Sequence, residues 1–138
     1  MRSLIVHADN FEAKINAKSN RPYGIVPETQ RAEVDRFQDG LVVFFCVEEG
    51  DNEIQLEKLY NEITKAANEI QTNKVLIAPF VHLSQNIADP QTAKEFYKTL
   101  LNKVKDANYQ TSSSHFGYHK TLSLDIKGHP GSFRFREF

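Results

Sequence analysis

Apolar positions along the chain follow two patterns. Short unbroken runs, Ser3 to Val6, Leu41 to Val47 (LVVFFCV) and Val75 to Phe80 (VLIAPF), predict strands. The last two are apolar at every position and leave no solvated face, as in a strand covered on both sides. Strict alternation follows near the C-terminus. Across His119 to Ile126, Leu122, Leu124 and Ile126 share one face, and Thr121, Ser123 and Asp125 the other. In SFRFREF the phenylalanines alternate with Arg134 and Arg136, which predicts an edge strand with an apolar and a solvated face.

Two segments carry the helical period. Leu56, Leu59, Tyr60, Ile63, Ala67 and Ile70 form one stripe, with Asp51 or Asn52 as the cap. Ala93, Phe96, Tyr97, Leu100, Leu101 and Val104 form another, opened by Asp89-Pro90, a cap residue followed by proline at the first helical position. His7 to Asn10 interrupts the first strand, so Phe11 to Ile15 is expected to pair back as a second one. The polar stretch Asn16 to Gln38, with Pro22, Gly24 and Pro27, is expected to be a long connection or mobile flap. Tyr109 begins a further strand. Strands alternating with two helices predict a two-layer α/β fold, a mixed β-sheet with both helices packed on one face.

Composition narrows the class. A length of 138 residues suits one domain with one core. With 40% hydrophobic and 25% charged residues the chain is globular rather than disordered. A net charge of −1 announces no nucleic-acid binder, although a local basic patch needs no excess overall. No apolar segment approaches the ~18 residues of a membrane span. The single cysteine, Cys46, permits no internal disulfide, and MRSLIVHAD has no signal-peptide layout, so a reduced, cytoplasmic protein is expected.

Chemistry gathers at strand ends. Lys120 has the parity of Leu122, Leu124 and Ile126, so its ammonium is directed to the buried face, where it needs a partner or a cleft. A lysine that snorkels to solvent satisfies the same pattern. His82 follows VLIAPFV where the strand runs into a loop, a usual place for a ligand crevice, and His7 follows the first strand in the same way. His115, His119 and His129 lie within fifteen residues, yet no HxH, helical HxxxH or cysteine pair supports a metal site. Ser112 to Ser114 precede His115 without a GxSxG elbow, and no glycine-rich phosphate loop occurs. Taken alone, the residues give a fold class and a cleft, and leave the reaction open.

Taken in order, the segments resemble the N-terminal editing domain of archaeal-type threonyl-tRNA synthetases. IVHADNFE (Ile5 to Glu12) stands for the family's I-H-[SA]-D segment, PFVHLS (Pro79 to Ser84) for P-[FY]-A-H-L-S, and FGYHK with KGHP (Phe116 to Lys120, Lys127 to Pro130) for F-G-W-Y-K and K-G-H-P. FFCVEE resembles F-T-S-V-E. The resemblance spans essentially the whole chain as a single editing domain, 1–138, and implies a D-aminoacyl-tRNA deacylase-like fold.

It further implies hydrolysis of serine from seryl-tRNA(Thr) by a positioned water, without metal or cofactor. Lys120 and His82 are the implied catalytic residues, with His119 beside them. Pro79, Phe80, Val81, Val47 and Tyr118 are the implied walls of the aminoacyl pocket, with His7 and Asp9 as further wall candidates. The implied partners are the aminoacylated 3′ end of tRNA(Thr), a second copy in a homodimer, and a threonyl-tRNA synthetase catalytic subunit or domain. The sequence leaves open a freestanding protein, a fragment, or a subunit of a split enzyme.

Two departures mark this chain. His119 stands where the family has tyrosine, and Phe133 where it has a glutamate after K-G-H-P, with Glu137 four residues further on. Loss of that carboxylate keeps a non-catalytic tRNA- or synthetase-binding module in view. A D-aminoacyl-tRNA deacylase is another alternative, although the Gly-Pro dipeptide of that family is missing. A dimerisation domain using LVVFFCV as an interface is the third.

Overall fold

The computed structural model describes all 138 residues. Six strands form one sheet: β1 (Arg2–Lys18), β2 (Val34–Cys46), β3 (Lys74–Pro79), β4 (Gln110–Ser113), β5 (Tyr118–Ile126) and β6 (Phe133–Glu137). The order is β4-β3-β2-β1-β5, and β6 pairs the first residues of β1. Every pair involving β1 is antiparallel, whereas β2–β3 and β3–β4 are parallel. Helices α1 (Glu53–Glu69) and α2 (Pro90–Asp106) follow β2 and β3 as the crossovers that the parallel pairs require.

Both helices pack on one face of the sheet. Leu41, Val43 and Phe45 of β2 and Val75 and Ile77 of β3 meet Leu59, Ile63, Leu100 and Val104 there. The alternate residues, Val42, Phe44, Leu76 and Ala78, face the other side with Val6, Phe11 and Phe37. LVVFFCV is therefore buried on both faces, as its lack of alternation predicts. Asn52 caps α1, accepting from the Ile54 amide at 2.9 Å, while its own amide donates to Gln55 at 2.9 Å. Asp51 is used otherwise and accepts from the Glu48 amide. Asp89 caps α2 as expected, by accepting from the Thr92 amide at 3.0 Å.

Three local expectations are corrected. The segment Phe11 to Ile15 does not turn back: β1 runs unbroken for 17 residues. Inward residues step from Ala8 to Phe11 in β1 and from Phe37 to Gly40 in β2, so the alternation slips on both strands together. Asp39 takes up the slip at φ +53°, a left-handed conformation that aspartate tolerates. Lys127 bridges the two slipped residues with ion pairs to Asp9 and Asp39, the latter at 3.3 Å.

The stretch from Asn16 to Gln38 is not a free flap. β1 extends to Lys18, β2 starts at Val34, and the 15 residues between them are strapped down on the loop before β5. Ser19 donates to the Gly117 carbonyl, Glu28 to that of Phe116, and the Tyr118 hydroxyl to the Glu28 carbonyl.

β6 is inverted from its expected burial. Phe133 and Phe135 are 61% and 49% exposed, and Arg134 is buried. Acidic residues of α1 lie beneath that strand. Arg134 pairs with Glu62 and Glu69, and Arg136 with Glu62 at 3.0 Å. The carboxylates draw the arginine face inward.

Candidate functional site

A cleft of about 580 Å³ opens where β3 leaves the sheet and β5 enters it. Pro79 ends β3, and Val81 to Leu83 form a single 3-10 turn that carries His82 to the rim. The turn is fixed from behind: the Phe80 amide donates to the Phe45 carbonyl at 2.8 Å, and the Ala88 amide to that of Val47 at 2.9 Å. The His82 ring meets the Phe80 ring edge to face, with centroids 5.1 Å apart. Apolar walls come from Phe11, Phe44, Phe80, Val47, Ala88 and Phe116.

Lys120 supplies the charge. It sits two residues into β5 on the inward face, as its parity predicts, and lines the cleft. Nζ donates to Ser114 Oγ at 2.9 Å and to the His115 carbonyl at 2.5 Å. No carboxylate touches it, so burial pushes its pKa down to about 8, against the favourable fields of Asp35 and Glu28. A substantial fraction of ammonium remains at neutral pH, and it stays partly desolvated.

The expected site residues divide into two groups. Lys120, His82, His119, Pro79, Phe80, Val81, Val47 and Tyr118 all line this one cleft. His119, the neighbour of Lys120 on the strand, is exposed at the rim. His7 and Asp9 do not line it. They belong to the slipped region of β1, where His7 Nδ1 lies 2.7 Å from His129 Nε2 and Asp9 pairs with Lys127. Burial, then His129 and Lys127, lower the His7 pKa. Phe133 also lies outside the cleft, so the missing glutamate removes no group from its lining.

The three C-terminal histidines thus separate. His119 stays at the rim, His129 meets His7, and His115 is wholly buried against Asp35. No three His, Cys, Asp or Glu side chains converge in a metal-binding arrangement. Cys46 lies on the cleft wall, but burial, reinforced by Glu48, pushes its thiol up to about 11, which leaves it un-ionised at neutral pH.

Sequence reasoning missed the contribution of the strap. Ser19, Arg21, Pro22 and Ile25 close one side of the cleft, though they stand some 95 residues from Lys120 in the chain. Hydrogen bonds to the Phe116–Tyr118 segment, a bond from Lys94 to the Val26 carbonyl and the packing of Ile25 on the core bring them there, and no local pattern encodes those. A smaller polar hollow of about 410 Å³, lined by Arg2, Ser84, Gln85 and Asn86, shares His82 with the cleft. The site therefore combines an apolar chamber, one ammonium, a histidine on the rim and an adjoining polar surface.

Comparison with known proteins gives this geometry a family. Among solved structures, the c-Myc DNA unwinding element binding protein shares the fold, with a TM-score of 0.72 over 100% of this chain and 99% of that one, at 12% identity. The expected fold class is thereby borne out. The chain is 36% identical over 132 residues to a threonine–tRNA ligase of Staphylothermus marinus and 34% identical over 134 residues to one of Thermococcus gammatolerans. These matches cover 94% of this chain and 21% of each relative, so the chain spans about one fifth of the length of the ligases it matches. Residues 1–138 match the family described as the archaea-specific editing domain of threonyl-tRNA synthetase, and the chain belongs to that family.

Proposed function

We propose that the chain is an aminoacyl-tRNA deacylase that removes serine from seryl-tRNA(Thr) by direct attack of water on the ester. The observation that carries this is the Lys120 ammonium, held by Ser114 Oγ and the His115 carbonyl at the wall of a chamber otherwise lined largely by apolar groups. A desolvated cation beside a small apolar chamber suits an ester carbonyl whose oxygen gains charge on attack.

In the proposed step, water adds to the carbonyl carbon and gives up a proton. The tetrahedral oxyanion forms within reach of Lys120. Collapse breaks the bond to the ribose oxygen, which leaves as a hydroxyl after taking up a proton, and serine is released. No covalent enzyme intermediate is needed. His82, held against Phe80, borders both the chamber and the polar hollow, which suits it to the terminal adenosine or to the attacking water. Arg2 in the hollow is paired with Glu48 at 3.2 Å and Glu137 at 3.3 Å, so this surface is polar without presenting a free cation.

The selectivity has a physical motive. Serine lacks one methyl of threonine, and a synthetic pocket gains only ~1–3 kcal/mol from such a difference. A second chamber that accepts serine and rejects the extra methyl multiplies the discrimination. Backbone at Pro79 to His82 and the side chain of Val47 are the proposed walls. The proposal includes tRNA(Thr) and a threonyl-tRNA synthetase as partners, a cytoplasmic setting in translation, and a homodimer favoured by the exposed Phe133 and Phe135 on β6.

Labelled seryl-tRNA(Thr) and threonyl-tRNA(Thr) presented to the 138-residue chain test it. Serine release at least about tenfold faster than threonine release is expected. Salt-sensitive tRNA binding with neither amino acid released would instead identify a binding module.

A further inference from the structure

Behind Lys120 lies a buried acid–imidazole pair that the cleft does not expose as a reacting group. Asp35 comes from β2 and His115 from the loop before β5, 80 residues apart in sequence. The Asp35 carboxylate accepts twice from one residue, from the His115 backbone amide at 2.9 Å and from its ring Nδ1 at 2.8 Å. Nε2 accepts from the Arg31 amide at 2.8 Å, so the ring proton resides on Nδ1 and the ring is held from both sides. His115 has no solvent exposure and Asp35 is 9% exposed.

The carbonyl of this same residue accepts the Lys120 ammonium. The group that Asp35 anchors and the group that anchors Lys120 thus lie within one residue. We propose, resting on the hydrolytic function above, that Asp35 and His115 are positioning residues for Lys120, fixing the carbonyl that aims its ammonium into the cleft.

Core packing alone does not call for this arrangement. A buried carboxylate that served only the loop would be satisfied by the two N–H donors it already has. Its field nevertheless also acts on Lys120. The charged and titratable groups around Lys120 come from three elements and the strap. Asp35 lies on β2. Glu28 and Arg31 of the strap pair at 2.9 Å. The Tyr97 hydroxyl of α2 meets Glu28 at 3.3 Å, and burial pushes that phenol up to about 12, so it stays neutral. Tyr118 and His115 flank the lysine with rings in edge contact. Glu28 is paired directly with Arg31, and of the two carboxylates Asp35 has the larger effect on Lys120.

Asp35→Asn tests this in the 138-residue chain, with two readouts. Lys120 is titrated by side-chain NMR, its signal assigned with Lys120→Arg, and seryl-tRNA(Thr) hydrolysis is followed over pH. The Lys120 titration is expected to move to lower pH. Near pH 7.5 kcat should fall about tenfold with KM within about twofold, and Asp35→Glu should recover part of the loss. A folded Asp35→Asn protein with an unmoved titration and unchanged kcat overturns the proposal. Should Asp35→Asn fail to fold, His115→Gln decides: kcat lowered at constant KM supports positioning, and both unchanged overturns it. If the wild type hydrolyses no aminoacyl ester, the proposed function fails, while the NMR titration still answers whether Asp35 governs Lys120.

Discussion

With seryl-tRNA(Thr) as substrate, Lys120→Met is expected to lower kcat by about 10²- to 10³-fold while KM changes little, because the oxyanion exists only after attack. Methionine keeps the length and apolar body of the side chain and removes only the donor and its charge. The pH profile follows from the same group. Burial sets Lys120 at about 8, so enzyme-catalysed release should decline as pH rises through that value, once the hydroxide-driven background is subtracted. A profile flat from pH 7 to 9, or a Lys120→Met enzyme of full activity, would remove the lysine from the chemistry.

The same substitution should stabilise the fold. In the unfolded chain Lys120 has its ordinary value of 10.5, and in the fold about 8. Between those values the unfolded chain holds a proton that the folded chain has released, so stability rises with pH across the window. Below about 8 the whole cost of the buried ammonium is present, about 3 kcal/mol for a difference of this size. Methionine escapes that cost and loses the two hydrogen bonds to Ser114 and His115. A net gain of about 1–3 kcal/mol near pH 7 is expected in denaturant unfolding, shrinking as pH rises from about 8 to 10.5, above which the wild-type lysine is neutral in both states. An active-site charge kept at the expense of stability is the usual mark of function over folding.

How far the sequence foretold this site depends on the range of the interactions. Lys120 was legible because alternation in β5 sets the direction of its side chain, and the structure keeps that direction. His82 was legible because an apolar run ending in proline stops a strand, and the turn beyond it has to expose something. Helices α1 and α2 followed from their stripes and caps. What escaped was non-local. The slip at Asp9 and Asp39 is a property of two strands together, so β1 alone looked broken at His7. Arg134 turned inward because Glu62 and Glu69 wait on a helix more than 60 residues earlier. The Asp35–His115 pair joins a segment that reads as loop to a histidine that reads as one of a cluster. His7 looked like a site residue by proximity to a strand end and Asp9 by the family resemblance; in the structure they lie beside His129 and Lys127, outside the cleft lining.

Gly117→Ala should be among the most damaging single-methyl changes in the chain, with a stability loss of about 2–4 kcal/mol. Two costs combine at this position. Its φ is +86°, where an L side chain is strained, and an added Cβ would stand 2.6 Å from Pro27 Cα. Pro27 belongs to the strap, and what must move is backbone. The hydrogen bonds that flank the contact then go together: Ser19 to the Gly117 carbonyl, Glu28 to that of Phe116, and the Tyr118 hydroxyl to that of Glu28. Because His115 lies two residues upstream, a displaced loop also carries off the carbonyl that holds Lys120, so kcat should fall with stability. Gly24→Ala is the matched control. It has φ +85° and no heavy atom within 4 Å of the new methyl, so it bears the conformational strain alone, about 1 kcal/mol, and should leave kcat intact. Thermal unfolding and single-turnover hydrolysis of the two variants side by side separate strain from collision. Equal losses would mean that the strap does not press on the loop, and that the cleft wall formed by Pro22 and Ile25 is not fixed by Gly117.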